Sequence, residues 1–135
     1  MKSYEISRPA SAFSKDGGPR QRAPRRRADQ HLRFVRSLPC VICGKEGDTH
    51  AAHLRAPSPS HGKRAVGLGE KPDDSWVTPL CGAHHLFGDD AQHSDQELGF
   101  WRKHGIDPFL LALALWRASG DEELGRLIIA EARRD

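Results

Sequence analysis

Hydrophobic and polar positions divide the chain into an N-terminal stretch with few apolar residues and a body with regular apolar spacing. Residues 1–27 are rich in Pro, Gly, Ser and Arg, which predicts an extended, disordered arm. After it, ADQHLRFVRSL (28–38) has apolar positions at Leu32, Val35 and Leu38, a spacing that fits a short helix. Pro39 ends this helix. We therefore expect a basic flexible arm at 1–27 and one folded domain at 28–135.

The middle of the chain predicts two short β-strands on either side of a long loop. The first strand follows a tight turn at 40–44 and runs toward Leu54, and the second is SWVTPL at 75–80. The intervening residues 56–74 are rich in Gly, Pro and Lys, and loops of this length in a compact domain are usually functional or disordered. CGAHHLFG, at 81–88, begins a helix that Gly88 can break.

The C-terminal part of the chain predicts helices whose apolar faces complete the core. One spans 95–105, with Asp95 as its candidate N-cap. Asp107 followed by Pro108 opens the next helix, Gly120 ends it, and Asp121 caps the last one. The side chains expected to face the core are those of Trp76, Leu98, Phe100, Trp101, Leu110, Leu111, Ala114, Leu115, Trp116, Ala118, Leu124, Leu127, Ile128 and Ala132.

Charge is distributed unevenly along the chain. Residues 1–36 carry ten Lys or Arg against three Asp or Glu, a net +7, whereas 37–135 carry eleven against fifteen, a net −4. A basic arm on a mildly acidic body suits contact with a polyanion, because each cation that neutralises a phosphate releases counterions. A solubilising tail, or a segment that packs on a neighbouring chain, would also explain the pattern. The arm therefore favours a nucleic-acid partner.

The composition of the chain also indicates in which cellular compartment the protein is expected. The chain has no stretch of the roughly 18–20 apolar residues that a membrane-spanning helix needs, so we expect no membrane partner. The first residues lack the apolar central region of a secretory signal. We therefore expect a cytoplasmic protein, in which the three cysteines are metal ligands rather than disulfide partners.

Metal-binding residue types cluster in the middle of the chain. All three cysteines and six of the eight histidines fall between residues 40 and 93. Cys40-x-x-Cys43 and Cys81-x-x-His84 are two half-sites, and a spacing of two residues lets both side chains of each half-site reach one tetrahedral zinc ion. The alternative is reduced cysteines in the core beside unrelated histidines. We expect a structural Zn²⁺ held by all four residues.

A second histidine, His85, directly follows the expected zinc ligand His84. Adjacent residues of a helix point about 100° apart, so His85 cannot readily bind the same ion. It would face another surface of the domain, where a strand bearing His53 could lie opposite. This arrangement of strand, loop, strand and helix resembles the HNH family of ββα-metal nucleases over residues 38–105.

More narrowly, several stretches are similar to a phage and prophage branch of HNH proteins, close to the Ref-type recombination nucleases. In chain order they are PCVICG, AAHLR, GLGEKPDDSWVTPLC, HH, AQHS, FW and GIDP. The resemblance implies an α+β fold, with a small zinc-stapled ββα-metal core, flanking C-terminal helices and a disordered basic arm. It also implies a bacterial host cytoplasm.

The resemblance implies an activity and a set of site residues. It implies an endonuclease that hydrolyses DNA phosphodiester bonds and leaves 5′-phosphate and 3′-hydroxyl ends. His53 would be the general base, a role that suits histidine because this residue type ordinarily gains and loses a proton near neutral pH. His85 and His93 would bind a catalytic divalent ion, Mg²⁺ or another such as Mn²⁺ or Ni²⁺.

Three departures from the family pattern leave parts of the site open. Many HNH proteins have a metal ligand directly before the base, where this chain has Ala52; His50 could compensate only if the strand bends, so an exposed His50 is favoured. The Asn of the family name is missing, and Asp73 or Asp74 could take its role, Asp74 being preferred. The spacing from His85 to His93 requires the helix to break, and Asp89 is the alternative ligand at the i+4 position.

Phosphate contacts are expected from basic residues of the arm and of the long loop. The expected contacts are Arg25, Arg26, Arg27, Arg55, Lys63, Arg64 and Lys71. His61 and His104 are expected to be exposed. A role in phage recombination, replication or packaging is implied, and participation of a recombinase filament or of other phage proteins is left open. Two competing functions are a non-catalytic zinc-stapled DNA-binding module and an assembly adaptor that acts through the C-terminal helices.

Overall fold

Helices surround a short β-hairpin in the computed structural model, which describes residues 27–67, 69–88, 90–92 and 96–134. The expected arm therefore lies outside the described residues, except for Arg27. In chain order the elements are α1 (Asp29–Arg36), β1 (Thr49–His53), a 3₁₀ turn (Pro59–His61), β2 (Val77–Cys81), a π-helix (Ala83–Phe87), α2 (Glu97–Lys103), α3 (Pro108–Arg117) and α4 (Glu122–Ala132). The prediction of a small α+β fold is confirmed.

The hairpin forms an antiparallel sheet in which Thr49 pairs with Cys81 and His53 pairs with Val77. All five residues of β2 are buried, whereas β1 exposes part of its length. A two-stranded sheet is marginal by itself in water, so it depends on the helices that cover it. Its pairing brings Cys81 and the π-helix that follows it beside the start of β1.

The first helix packs on both the sheet and the last helix. It buries Phe34 and Val35, and Leu38, just beyond its end, is also in the core. A Cβ atom added to Gly125 of α4 would lie 2.8 Å from Cζ of Phe34. Such a contact is closer than side chains tolerate, so this glycine allows α4 to approach α1.

The expected helix caps are present at both positions that the structure describes. The Asp107 side chain accepts hydrogen bonds from the backbone N–H groups of Phe109 and Leu110. The Asp121 side chain accepts one from Leu124. Each satisfies donors that the first helical turn would otherwise leave unpaired. The caps explain why α3 and α4 begin where the sequence predicted.

The expected apolar faces of the helices are only partly correct. Leu111, Leu115 and Ala118 are buried, as are Trp76 and Trp101. The prediction is wrong for four leucines, of which Leu110 is 56% exposed and Leu127 is 62% exposed; Leu98 and Leu124 are the others. The contacting face of α4 is centred instead on Gly125 and Ile129. None of the helices in the described part of the chain combines the length and the apolar content of a membrane-spanning segment.

Candidate functional site

Three cysteines and one histidine converge at one end of the hairpin. Sγ of Cys43 is 3.8 Å from Sγ of Cys81, and Nδ1 of His84 is 3.2 Å from Sγ of Cys81. The same Nδ1 is 3.8 Å from Sγ of Cys40, and all four ligand atoms lie within 4.8 Å of one another. Sulfur ligands about 2.3 Å from a tetrahedral zinc ion are about 3.8 Å apart. The group could therefore hold one zinc ion.

A tight turn brings the first two cysteines together. The N–H of Gly44 donates to the carbonyl oxygen of Cys40 at 2.8 Å, and Gly44 has a φ of +76°, a conformation that favours glycine. The Arg133 guanidinium, just beyond α4, packs against Gly44 where a Cβ atom would otherwise lie. The C-terminal end of the domain therefore covers this turn.

Burial affects the protonation of the ligands in opposite ways. It raises the pKa of the Cys40 thiol to about 11. Burial also acts to raise the pKa of Cys43, but hydrogen bonds, the first from the backbone of Lys45, and the charge of Arg133 outweigh it and lower that pKa. For His84, burial lowers the pKa despite the nearby Asp90 carboxylate. The lowered pKa favours the neutral form of His84, which is the form that zinc binds.

The two consecutive histidines lie on a π-helix and contact different partners. His84 directs Nδ1 toward Cys40 and Cys81, whereas Nδ1 of His85 lies 3.0 Å from Nδ1 of His50. The backbone N–H of Gly88 donates to the carbonyl oxygen of Ala83, closing the wide turn that is typical of a π-helix. The helix ends at Gly88, where the backbone becomes extended.

His50 differs from the expectation of an exposed side chain. It is half-buried, and its ring meets that of His85 edge to face, with the centroids 5.2 Å apart. The register explains this contact, because His50 lies opposite Leu80, one residue before Cys81 and close to the start of the π-helix.

His61 and His104 also lie less exposed than expected. His61 stacks on Phe109, and Nε2 of His104 is 2.7 Å from the Asp90 carboxylate. Asp90 also accepts from Lys103 and lies 4.0 Å from Nε2 of His84. It thereby connects the expected zinc ligand His84 with the end of α2.

His53 and Asp74 are in direct contact. Nε2 of His53 lies 2.8 Å from Oδ1 of Asp74, which is 1% exposed, and Oδ2 of Asp74 accepts the backbone N–H of Ala28 at 2.8 Å. An ionised carboxylate can only accept, so Nε2 of His53 carries the proton in this pair. In the neutral imidazole, Nδ1 is then the nitrogen with a lone pair.

A buried polar network that the sequence did not predict supports His53. The Gln92 side chain is 4% exposed, donates to the carbonyl oxygen of His53 at 3.2 Å and accepts from Nε1 of Trp101. The backbone N–H of Gln92 donates to the carbonyl oxygen of His84. The Glu97 carboxylate accepts the backbone N–H groups of Arg55 and Ala56. The sequence stretches AQHS and FW contain Gln92 and Trp101, but the sequence alone did not show which groups these two residues contact.

The expected phosphate-binding residues differ in their exposure. Arg27, Arg55, Arg64 and Lys71 are exposed. Arg55 donates to the carbonyl oxygen of Glu70, and Arg64 pairs with the Glu70 carboxylate at 3.2 Å.

Lys63 is buried, whereas the sequence predicted a residue that contacts phosphate at the surface. It is only 2% exposed, because the loop folds back through a bridge between Ser58 and Lys63. Its Nζ donates to the carbonyl oxygen of Arg55, and burial lowers its pKa.

Several expected residues lie outside the described part of the chain: Arg25, Arg26, Asp89 and His93. Within the described part, Cys40, Cys43, Cys81 and His84 form the one group of three or more potential metal ligands. His93 and Asp89 as ligands of a second ion stay predictions.

Comparison with known protein families covers most of the chain. A family model described as "Protein of unknown function (DUF968)" matches residues 10–120, which include both half-sites, the hairpin and most of the helices. Helix α4 lies beyond the matched residues. No protein of curated function and no solved structure matches the chain.

Proposed function

The chain belongs to the DUF968 family, and we propose that it is an HNH-type, metal-dependent endonuclease that hydrolyses DNA phosphodiester bonds. The observation that carries the proposal is the contact between Nε2 of His53 and the buried Asp74 carboxylate. A histidine oriented by a carboxylate is a recurrent arrangement for general-base catalysis.

In this proposal, His53 removes a proton from the water that attacks phosphorus. Asp74 holds the Nε2–H tautomer, so that Nδ1 is available as the base. The hydrogen bond from Ala28 to the other oxygen of Asp74 fixes the carboxylate, which therefore cannot rotate away from the imidazole. The family's missing Asn is thereby replaced by an aspartate that orients the base through its side chain.

Gln92 contacts both the segment that carries His53 and the segment that carries His85, which supports a single site for the two histidines. Its side chain contacts the carbonyl oxygen of His53, and its backbone N–H contacts that of His84, the residue before His85. A single residue therefore spans the end of β1 and the π-helix. Trp101 and Glu97 hold the Gln92 amide in place.

A divalent ion, Mg²⁺ or another, would be held by His85 and by His93, which follows Gln92 in the chain. When bound, such an ion would neutralise charge on the scissile phosphate and on the departing 3′ oxygen. Imidazole nitrogen is a suitable donor for many divalent ions, and Nδ1 of His85 already faces a second imidazole nitrogen. The zinc held by the Cys₃His group would be structural, since all four of its positions are filled by protein.

Exposed cations near His53 support DNA as the substrate. Arg55 comes two residues after His53, and Arg64 and Lys71 belong to the loop that follows. The present contacts of Arg55 and Arg64 with Glu70 are at the surface and can be exchanged for phosphate at little cost. The arm, with Arg25, Arg26 and Arg27, would add contacts to the backbone. The phage resemblance adds a role in recombination, replication or packaging to the proposal.

A non-catalytic zinc-stapled DNA-binding module is the second candidate. The observation that favours it is that the described residues hold one group of three or more metal ligands, the Cys₃His group. Such a module would bind DNA in a salt-dependent way and would leave the phosphodiester backbone intact.

Plasmid nicking separates the two candidates. Zinc-saturated protein is incubated with supercoiled plasmid and Mg²⁺, Mn²⁺ or Ni²⁺. His53→Ala is compared with His61→Ala, a control that removes an imidazole from the 3₁₀ turn. Nicking by the wild type and by His61→Ala, but not by His53→Ala at equal zinc content, would support the nuclease. Binding without nicking in every ion would favour the module.

A further inference from the structure

His50 of β1 and His85 of the π-helix form a close pair of imidazole rings. Their Nδ1 atoms are 3.0 Å apart, although 35 residues separate them in sequence. Both side chains are half-buried, so solvent can reach the pair. We infer that His50 is a metal ligand that replaces the donor missing at Ala52, and that the ion bound by the His50–His85 pair is a transition-metal ion rather than Mg²⁺.

The register of the hairpin explains how His50 can replace a donor at position 52. Side chains two residues apart on a strand point to the same face, so His50 and Ala52 share a face of β1. Ala52 pairs with Thr78, whereas His50 pairs with Leu80, two residues nearer to the start of the π-helix. A histidine at position 50 therefore lies beside His85. His53 is three residues further along β1, so the strand must bend for an ion held by His50 and His85 to approach the base.

The distance between the two nitrogens suits a shared ion. Two nitrogens about 2.0–2.1 Å from one metal are about 2.9 Å apart at a right angle and about 3.4 Å apart at the tetrahedral angle. The observed 3.0 Å lies between these values. A metal-free N–H···N hydrogen bond has a similar length, so the two states can interconvert with little movement of either ring.

The donor type determines the class of ion. Imidazole pairs favour Zn²⁺, Ni²⁺, Cu²⁺ or Fe²⁺, whereas Mg²⁺ prefers oxygen ligands and keeps most of its water. Among the described residues, Asp48 places a carboxylate oxygen 3.8 Å from Nε2 of His50, and not beside Nδ1. The two ligand atoms of the pair are therefore both nitrogens, which predicts weak binding of Mg²⁺.

The catalytic use of this ion rests on the proposed function, but its binding can be measured independently. The full-length, zinc-saturated protein is titrated with Ni²⁺ or Mg²⁺ by calorimetry, and zinc content is measured before and after. The variants are His50→Ala and His85→Ala, with His61→Ala as the control. Thermal melting confirms that each variant is folded.

We expect one Ni²⁺ per chain beyond the zinc for the wild type and for His61→Ala, and no saturable binding of Mg²⁺. Loss of a ligand should weaken Ni²⁺ binding by more than about 10–100-fold, the range that loss of an outer-shell partner already produces. Ni²⁺ binding without any nicking would support the ligand pair and count against the nuclease.

Unchanged Ni²⁺ affinity in His50→Ala would overturn the inference, as would saturable binding of Mg²⁺ tighter than that of Ni²⁺. A second measurement does not depend on the variants: ¹⁵N NMR of the histidine rings during addition of a second equivalent of Zn²⁺. Shifts of Nδ1 in both His50 and His85 would support the pair, and a shift in His85 alone would exclude His50.

Discussion

Replacing Asp74 with asparagine isolates the role of the carboxylate, because the two side chains have nearly the same shape. The backbone N–H of Ala28 can only donate, so the asparagine must direct its carbonyl oxygen toward Ala28. Its NH₂ group then faces Nε2 of His53. To accept that hydrogen bond, Nε2 must lose its proton, and the proton moves to Nδ1. Asp74→Asn therefore blocks the nitrogen that acts as the base.

The size of the effect follows from the role assigned to His53. A general base contributes about 10²–10⁴-fold to rate, and the wrong tautomer removes most of this contribution. We expect the nicking rate of Asp74→Asn to fall about 10²–10⁴-fold. Loss of a charge-assisted hydrogen bond at this buried position should also lower the free energy of unfolding by about 1.5–3 kcal/mol.

The assay compares the initial rates of plasmid nicking by zinc-saturated proteins in the ion that gives the wild type its highest rate. Asp73→Asn is the matched control, because it removes the same charge one residue away, from a half-buried side chain. Its rate should stay within about threefold of the wild type. A folded, zinc-replete Asp74→Asn protein that nicks as fast as Asp73→Asn would refute the assignment of Asp74 as the residue that orients the base.

Three further predictions concern the scaffold. Zinc binding to the metal-free protein at pH 7 should release protons from the thiols, because burial raises the pKa of Cys40 to about 11. A pH indicator in weak buffer would detect the released protons. The absence of proton release would exclude thiolate ligation. His31 is a buried residue of α1, and its burial lowers its pKa in the folded state. The unfolded chain therefore binds more protons, and stability should fall as the pH drops below about 6.5. Denaturant unfolding at pH 7.5 and 5.5 should show a smaller difference in His31→Gln, and an equal difference would contradict the assignment. Leu115 lies in the core, so Leu115→Ala should lower the free energy of unfolding by about 2–5 kcal/mol. Leu110 lies on the same helix but is 56% exposed, so Leu110→Ala should lower it by less than about 0.5 kcal/mol. Equal losses would contradict the packing described for α3.

Features encoded by short spacings could be predicted from the sequence. Each of the two half-sites has two residues between its ligands, and the Asp107-Pro108 pair marks a helix start through local geometry. The α+β class also followed, because short segments bounded by turn residues predict strands, whereas longer segments that begin at candidate caps predict helices. In each case the decisive residues are neighbours in the chain, so no tertiary information was needed.

Features that depend on pairing between distant segments could not be predicted. His50 and His85 meet only because of the register between β1 and β2, which spacing alone does not define. Gln92 and Glu97 act on backbone groups about 40 residues away. In α3 the apolar residues surround the helix, so packing rather than periodicity decides that Leu110 is exposed.

The most direct test of the central claim is the chemistry of the DNA ends that the zinc-saturated protein produces. We predict relaxed plasmid circles that DNA ligase reseals, since hydrolysis that expels the 3′ oxygen leaves 5′-phosphate and 3′-hydroxyl groups. The His53→Ala protein should produce none. Intact plasmid in the presence of Mg²⁺, Mn²⁺ and Ni²⁺, with protein that still binds DNA, would contradict the nuclease assignment.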